Sequence, residues 1–241
     1  FEQGSVAKVV ARYDAYKNKP GMTLVGAVPA GSSGGAALRM TAGGGTSATD
    51  LYRRLLPGYD PLYMRYYVKS QSGVQRHHTG VWIGGYSPAT AWPNPKAGRR
   101  PSGSTAYYGN SLVNRNGFKV ADDRWMCIEV MVKVNPSPSS GAGAELAVWK
   151  DDVLVQHFTD KSPVGYWTRD KFCPVGADHT SCTSYPPPAG TKLTPLDLQL
   201  RSSTSLKLNY FWPQNYITSG PSGNVTYDDM VIARTRVGCL T

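Results

Sequence analysis

The sequence predicts an all-β chain folded as a β-sandwich of two antiparallel sheets with a concave groove. Short runs of alternating apolar and polar residues recur along its length, and a strand points successive side chains to opposite faces. Glycine and proline, 26 and 18 of the 241 residues, cluster between these runs and mark turns. No repeat, heptad pattern or long amphipathic helix competes with that reading. Many short strands with such turns build a sandwich. The length suits one large domain spanning 1–241.

The first twenty residues read as a short helix or an irregular strand. MTLVGAVPA and GAALRMTAGGG read as strands, and TSATDLYRRLLPGYD has mixed spacing and ends in a Pro57-Gly58 turn. Two strands follow, LYMRYYVK and HTGVWIGGY, expected to lie together on an exposed concave sheet and joined by a polar linker that ends in His77 and His78. In the first, Met64, Tyr66 and Val68 share the buried parity, while Tyr63, Arg65, Tyr67 and Lys69 share the polar one. Residues 87–117 have no periodicity and read as a long functional or covering loop. In RWMCIEVMVKV, Met126, Ile128, Val130 and Val132 form one face and Cys127, Glu129, Met131 and Lys133 the other. AELAVWKDD and VLVQHF form a hairpin across Lys150-Asp151-Asp152. LDLQLRS and SLKLNYFWP read as a further strand pair, and TYDDMVIARTRV as the closing strand.

A net charge of +10 and a pI near 9.5 favour polyanionic partners, but the cations are spread out and no base-reading motif occurs. An acidic polysaccharide is the expected partner, with no nucleic acid. No apolar run approaches the roughly 18 residues of a membrane span, so no membrane partner is expected, and the chain is expected to be a monomer. Any secretory signal has been removed or never existed. Cys173 and Cys182 flank a short Pro/Gly-containing loop and are expected to pair. Cys127 and Cys239 either pair or stay buried as thiols. Cysteine usage points to a secreted or periplasmic location. No metal site or cofactor is expected, a structural calcium ion aside. Asp228-Asp229 reads as a turn, capping or cation-binding element, and Asn224-Val-Thr226 is a glycosylation sequon of low specificity.

The chain has three glutamates, Glu2, Glu129 and Glu145. A glycosidase ordinarily places two carboxyls across the scissile bond, and Glu129 with Glu145 is the pair on offer. The basic and phenolic groups suit β-elimination on a uronate better. That reaction needs a neutralised carboxylate, a base for the adjacent proton and an acid for the leaving oxygen. Arg65, Tyr67, His78 and Tyr210 are the catalytic candidates. Lys69, Gln199, Arg201, Lys207 and Asn209 are candidate substrate ligands. Trp82, Tyr86, Trp92, Arg99 and Arg100 add stacking surfaces and cations. Val81 and Ile83 look like core positions, which places His78 with Gly80 and Trp82 on the opposite face. Taken singly, Arg65, Tyr67 and Lys69 are equally readable as solvated residues on an outer sheet face.

Three places carry a resemblance to the concanavalin A-like jelly-roll polysaccharide lyases, which include alginate, glucuronan and heparin-lyase-I-like enzymes. They are LYMRYYVK with HHTGVWIGGY, RWMCIEVMVKVN with AELAVWKDDVLV, and LKLNYFWP with NVTYDDMVIART. The resemblance implies a cationic cleft and a metal-independent elimination. It implies that Arg65 and Gln199 or Asn209 bind the carboxylate, that His78 is base or charge neutraliser, and that Tyr67 or Tyr210 is the acid. Neither an R-x-E-x-R strand nor a Q-[IV]-H strand of the alginate-lyase pattern is present, and HHTGVW stands where the latter would fall. A hydrolase using Glu129 and Glu145, and a non-catalytic lectin-like module, are the competing functions on such a fold.

Overall fold

The computed structural model describes residues 1–43, 48–74, 79–85, 121–168, 171–178, 180–201, 203–217 and 220–241. Its architecture is a jelly-roll β-sandwich. Among the described residues, one sheet has four strands in the order β1 (Ala15–Lys17), β4 (Ala48–Tyr59), β13 (Leu208–Tyr216), β6 (Gly80–Gly84). The other has seven, in the order β2 (Met22–Val25), β3 (Ala37–Ala42), β14 (Gly223–Ala233), β5 (Leu62–Ser70), β7 (Met126–Lys133), β8 (Glu145–Lys150), β9 (Val153–Thr159). A three-stranded sheet, β11 (Lys171–Pro174), β10 (Val164–Thr168), β12 (Thr194–Pro195), stands beside them. Among the described residues, every pairing between these strands is antiparallel.

Alternation decides what fills the space between the sheets. Leu38, Met40, Val68, Met126, Ile128, Val225 and Tyr227 of the large sheet meet Leu51 of the small one, and helix α1 (Val6–Val10) adds Val9 and Val10. Burying each such side chain stabilises by roughly 1.5–3 kcal/mol. Leu62, Val132, Val134 and Leu208 continue this core, and the three-stranded sheet closes a further cluster around Phe158, Phe172, Leu196 and Leu198. Polar links also join the sheets. Asn215 Nδ2 donates to the carbonyls of Met40 and Gly223 at 2.8 and 3.0 Å, and the Tyr227 hydroxyl donates to the Gln214 carbonyl at 2.8 Å. The Asp151-Asp152 turn joins β8 to β9, with φ of 49° and 62° matching the positive φ of a tight hairpin turn.

Both disulfides form, Cys173–Cys182 and Cys127–Cys239. The second ties the C-terminal tail across the outer face of the seven-stranded sheet. There Glu129 accepts the backbone N–H groups of Val237 and Gly238 at 2.7 and 2.9 Å. Asp152 accepts those of Cys239 and the Arg236 guanidinium, and the Tyr67 hydroxyl accepts that of Leu240 at 2.7 Å.

Three expectations are corrected. TSATDLYRRLLPGYD does not end as a turn at Pro57-Gly58: β4 runs through it to Tyr59. LDLQLRS is not a strand; Leu198 is buried, but the backbone of 196–201 is irregular. LYMRYYVK and HTGVWIGGY do not share a sheet. The first is an interior strand of the large sheet, hydrogen-bonded on both sides, and the second belongs to the small sheet, paired with β13. Asp228-Asp229 forms a bulge in β14 against β5, with the Asp229 N–H donating to Asp228 Oδ1 at 2.9 Å. The Asn224 side chain of the sequon is held by Thr41 and Gln71.

Candidate functional site

The four-stranded sheet carries the candidate site on its outward face. Leu51 lies in the core, Phe211 packs on Tyr13 at 5.9 Å, and Val81 and Ile83 touch the core clusters. Their even-numbered neighbours therefore point away from it. The register arranges these in three rows. Lys17, Asp50, Gln214 and Gly80 form the first. Ala15 and Tyr52 stand in the second with the opposed pair Trp212 and Trp82, and Arg54, Tyr210 and Gly84 form the third.

Hydrogen bonds run along this face. Trp212 Nε1 donates to Asp50 Oδ1 at 3.1 Å, and Trp82 Nε1 donates to Gln214 Oε1 at 3.2 Å. The two indoles lie 6.2 Å apart. The rings of Tyr52 and Tyr210 lie 5.5 Å apart. Asp14 holds Arg54 through Nε at 3.0 Å and through the backbone N–H at 2.8 Å. A Cβ on Gly84 would stand 2.5 Å from the Tyr210 hydroxyl, so glycine is what lets that phenol lie across β6.

The face is largely withdrawn from water: Asp50, Tyr52 and Tyr210 are each 1 % exposed. Burial pushes the Asp50 carboxyl up to about 6, against the Gln214 and Trp212 hydrogen bonds and the Lys17 ammonium, which pull it down. Burial likewise raises the Tyr52 phenol, with Arg54 opposing it, so Tyr52 keeps its proton at neutral pH. Phenols, an amide and a guanidinium in a low-dielectric setting can hold a carboxylate and move a proton beside it.

Asp50 has a measurable cost. Its folded pKa lies above the unfolded value of 3.8, so its stabilising contribution is complete below about pH 4 and is lost as pH rises through about 6. Asp50→Asn is expected to remove that loss. Urea unfolding should show the variant gaining on the wild type by an amount on the order of 1–3 kcal/mol between about pH 4 and pH 7, with no further gain above that. Parallel pH curves would contradict this assignment.

The structure distributes the predicted residues over different surfaces. Tyr210 and Trp82 lie on the face just described. Arg65, Tyr67 and Lys69 do not: they sit on the outer side of the seven-stranded sheet. There the tail covers Tyr67, and Arg65 is 6 % exposed with its guanidinium 5.5 Å from the Tyr67 ring. Burial raises the Tyr67 phenol, and the Leu240 N–H opposes that shift. Gln199 and Arg201 secure a loop. Gln199 donates to the Pro138 carbonyl, and Arg201 donates to the carbonyls of Asn135, Pro136 and Leu206. Asn209 is buried at the β13 bulge, and Lys207 is exposed just before that strand, beside Gly58. His78, Tyr86, Trp92, Arg99 and Arg100 lie outside the described residues. Glu129 is saturated by the tail, and Glu145 pairs with Lys133 at 2.9 Å and His157 at 3.0 Å. No cluster of three or more metal-ligating side chains occurs among the described residues.

Asp50, Tyr52, Arg54 and Gln214 are the members that sequence reasoning missed. The signal was present: in DLYRRL, Asp50, Tyr52 and Arg54 alternate with Leu51, Arg53 and Leu55. The mixed spacing farther along the segment, and its Pro-Gly, hid a strand of twelve residues.

No protein-family model matches the chain, and no curated protein matches its sequence. Solved structures do. The chain is similar to the marine PL-14 alginate lyase from Aplysia kurodai, with a TM-score of 0.55 and 12 % identity over 97 % of this chain and 95 % of that one. It is similar to alginate lyase Aly36B, with a TM-score of 0.52 and 10 % identity over 98 % and 93 %. The fold is that of the jelly-roll alginate lyases. A mutant of Aly36B that is similar to this chain over the same share is in complex with an alginate tetrasaccharide.

Proposed function

We propose that this chain is an exported polysaccharide lyase that cleaves an acidic, uronate-containing polysaccharide by β-elimination on the outward face of its four-stranded sheet. The observation that carries the reading is Tyr210 set between Arg54 and Gly84, one row from the indole pair and two from Gln214, in a lyase-type fold. In the reaction a base removes the proton beside the carboxylate and a double bond forms. The glycosidic carbon–oxygen bond then breaks, and an acid protonates the departing oxygen. Arg54 and Gln214 neutralise the carboxylate, and Trp82 and Trp212 offer stacking surface to the sugar rings. Tyr210 gives the proton to the leaving oxygen. His78, which the sequence alternation assigns to the parity of Trp82, is the candidate base. The net charge of +10 supports a polyanionic substrate, and two disulfides support an oxidising compartment. No cofactor enters this reaction.

The test is to mix the protein with a panel of polyuronates and follow ultraviolet absorbance of the unsaturated product alongside new reducing ends. Absorbance that rises in the wild type and vanishes in Tyr210→Phe and His78→Ala supports the reading. New reducing ends without absorbance would mean hydrolysis. Neither signal, with glycan bound, would leave the non-catalytic module that the Trp82–Trp212 pair also suits.

A further inference from the structure

Among the described residues, Asp50 is the one carboxyl buried on the candidate face, and the elimination chemistry gives it no step. Its place in the hydrogen-bond chain is nevertheless central. The Gln214 amide is held at both ends: its oxygen accepts from Trp82 of β6, and its nitrogen side faces the Asp50 carboxyl of β4, which it helps to keep charged. Asp50 Oδ1 also accepts from Trp212, while Oδ2 is buried without a hydrogen-bond partner. An amide has two edges of similar shape and opposite hydrogen-bonding sense. The edge that donates is the one a carboxylate can use.

We propose that Asp50 is the positioning residue of this site: through Gln214 and Trp212 it fixes which edge of the Gln214 amide is offered to the uronate carboxylate. The inference rests on the lyase reading of this face. With Asp50 ionised, the carboxyl only accepts, so Gln214 turns its N–H groups toward it and its oxygen toward Trp82. The second hydrogen on the same nitrogen is then available to the substrate. With Asp50 protonated, its own O–H competes as a donor for the Gln214 oxygen, and the amide loses its single orientation. Burial places that change near pH 6. Among the described residues, two further titratable groups face Asp50: the Lys17 side chain on β1, in the same row, and the Tyr227 phenol on β14, from behind the sheet. Burial lifts Tyr227 well above its ordinary value, so it keeps its proton across this range.

The experiment combines two readouts on wild type and Asp50→Asn. Indole N–H resonances of Trp82 and Trp212 are followed against pH by NMR, and kcat/KM on a cleaved polyuronate is measured over the same range. Both indoles are expected to titrate together near pH 6 in the wild type, and kcat/KM to fall on the acid side of the same midpoint. In Asp50→Asn the midpoint is expected to vanish from the indoles, the acid limb of kcat/KM to keep only the step that protonation of the base His78 imposes, and kcat/KM to be about tenfold lower at the top of the range, the size of one hydrogen bond to a charged group. If the indoles titrate but the two pH–rate profiles run parallel, Asp50 is a structural acid only and the proposal is overturned while the lyase reading stands. If Trp82 does not titrate with Trp212, the amide relay itself is refuted. If neither protein cleaves any polyuronate, the lyase reading falls first and this inference with it.

Discussion

Tyr210→Phe is expected to lower kcat/KM on a polyuronate by at least about a hundredfold, the usual scale for removing a proton-transfer group. Unfolding free energy should change by no more than about 1 kcal/mol, since only one hydroxyl is removed. The ring keeps its place beside Tyr52 at 5.5 Å, so the core under it is unchanged. A second variant separates loss of the hydroxyl from its displacement. Gly84→Ala adds a Cβ that would lie 2.5 Å from that hydroxyl, and the phenol must swing away to admit it. Gly84→Ala should therefore lose activity with its hydroxyl still present, whereas a remote Gly35→Ala, where an added Cβ meets nothing within 4 Å, should not. Full activity in both Tyr210→Phe and Gly84→Ala would remove Tyr210 from the reaction.

How far the sequence reveals this molecule depends on what alternation can and cannot carry. Parity correctly assigned Met64, Tyr66 and Val68 to the core side of β5, and Met126, Ile128 and Val132 to that of β7. It also paired β8 with β9 across Asp151-Asp152. Parity says which residues share a face but not which sheet a strand joins. Arg65 and Tyr67 have the composition of a binding face, yet their strand lies between β14 and β7, and a tail more than 160 residues away in the chain covers it. A covering segment of that kind leaves no local signature. The bulge between Leu208 and Tyr210 is a second limit. It breaks the alternation of β13, so Leu208 and Phe211 both face the core while Tyr210 faces outward. Simple parity from Leu208 would have turned Tyr210 inward. The buried character of Asp50 was equally hidden, because an aspartate in DLYRRL reads as surface until its neighbours on β13 are known.

The tail supplies the second large effect. Replacing both Cys127 and Cys239 by serine is expected to cost about 4–5 kcal/mol on the loop-entropy account, because the bridge closes a segment of 112 residues. Glu129→Ala acts on the same strap by another route. It leaves the Val237 and Gly238 N–H groups without their acceptor and takes an anion from beside Arg236, at 3.8 Å, for an expected loss of about 3 kcal/mol. The two changes should not add. Once the bridge is gone the tail is free to lift, so the Glu129 contacts contribute less, and a double-mutant cycle in urea should show coupling of at least about 0.5 kcal/mol. Activity per folded molecule is the discriminating measurement. Glu129 faces the tail on one sheet and Tyr210 faces outward on the other, so Glu129→Ala should unfold at lower urea yet turn over substrate at the wild-type rate. A stable Glu129→Ala protein that had lost its activity would reverse the assignment and restore Glu129 as a reacting carboxyl.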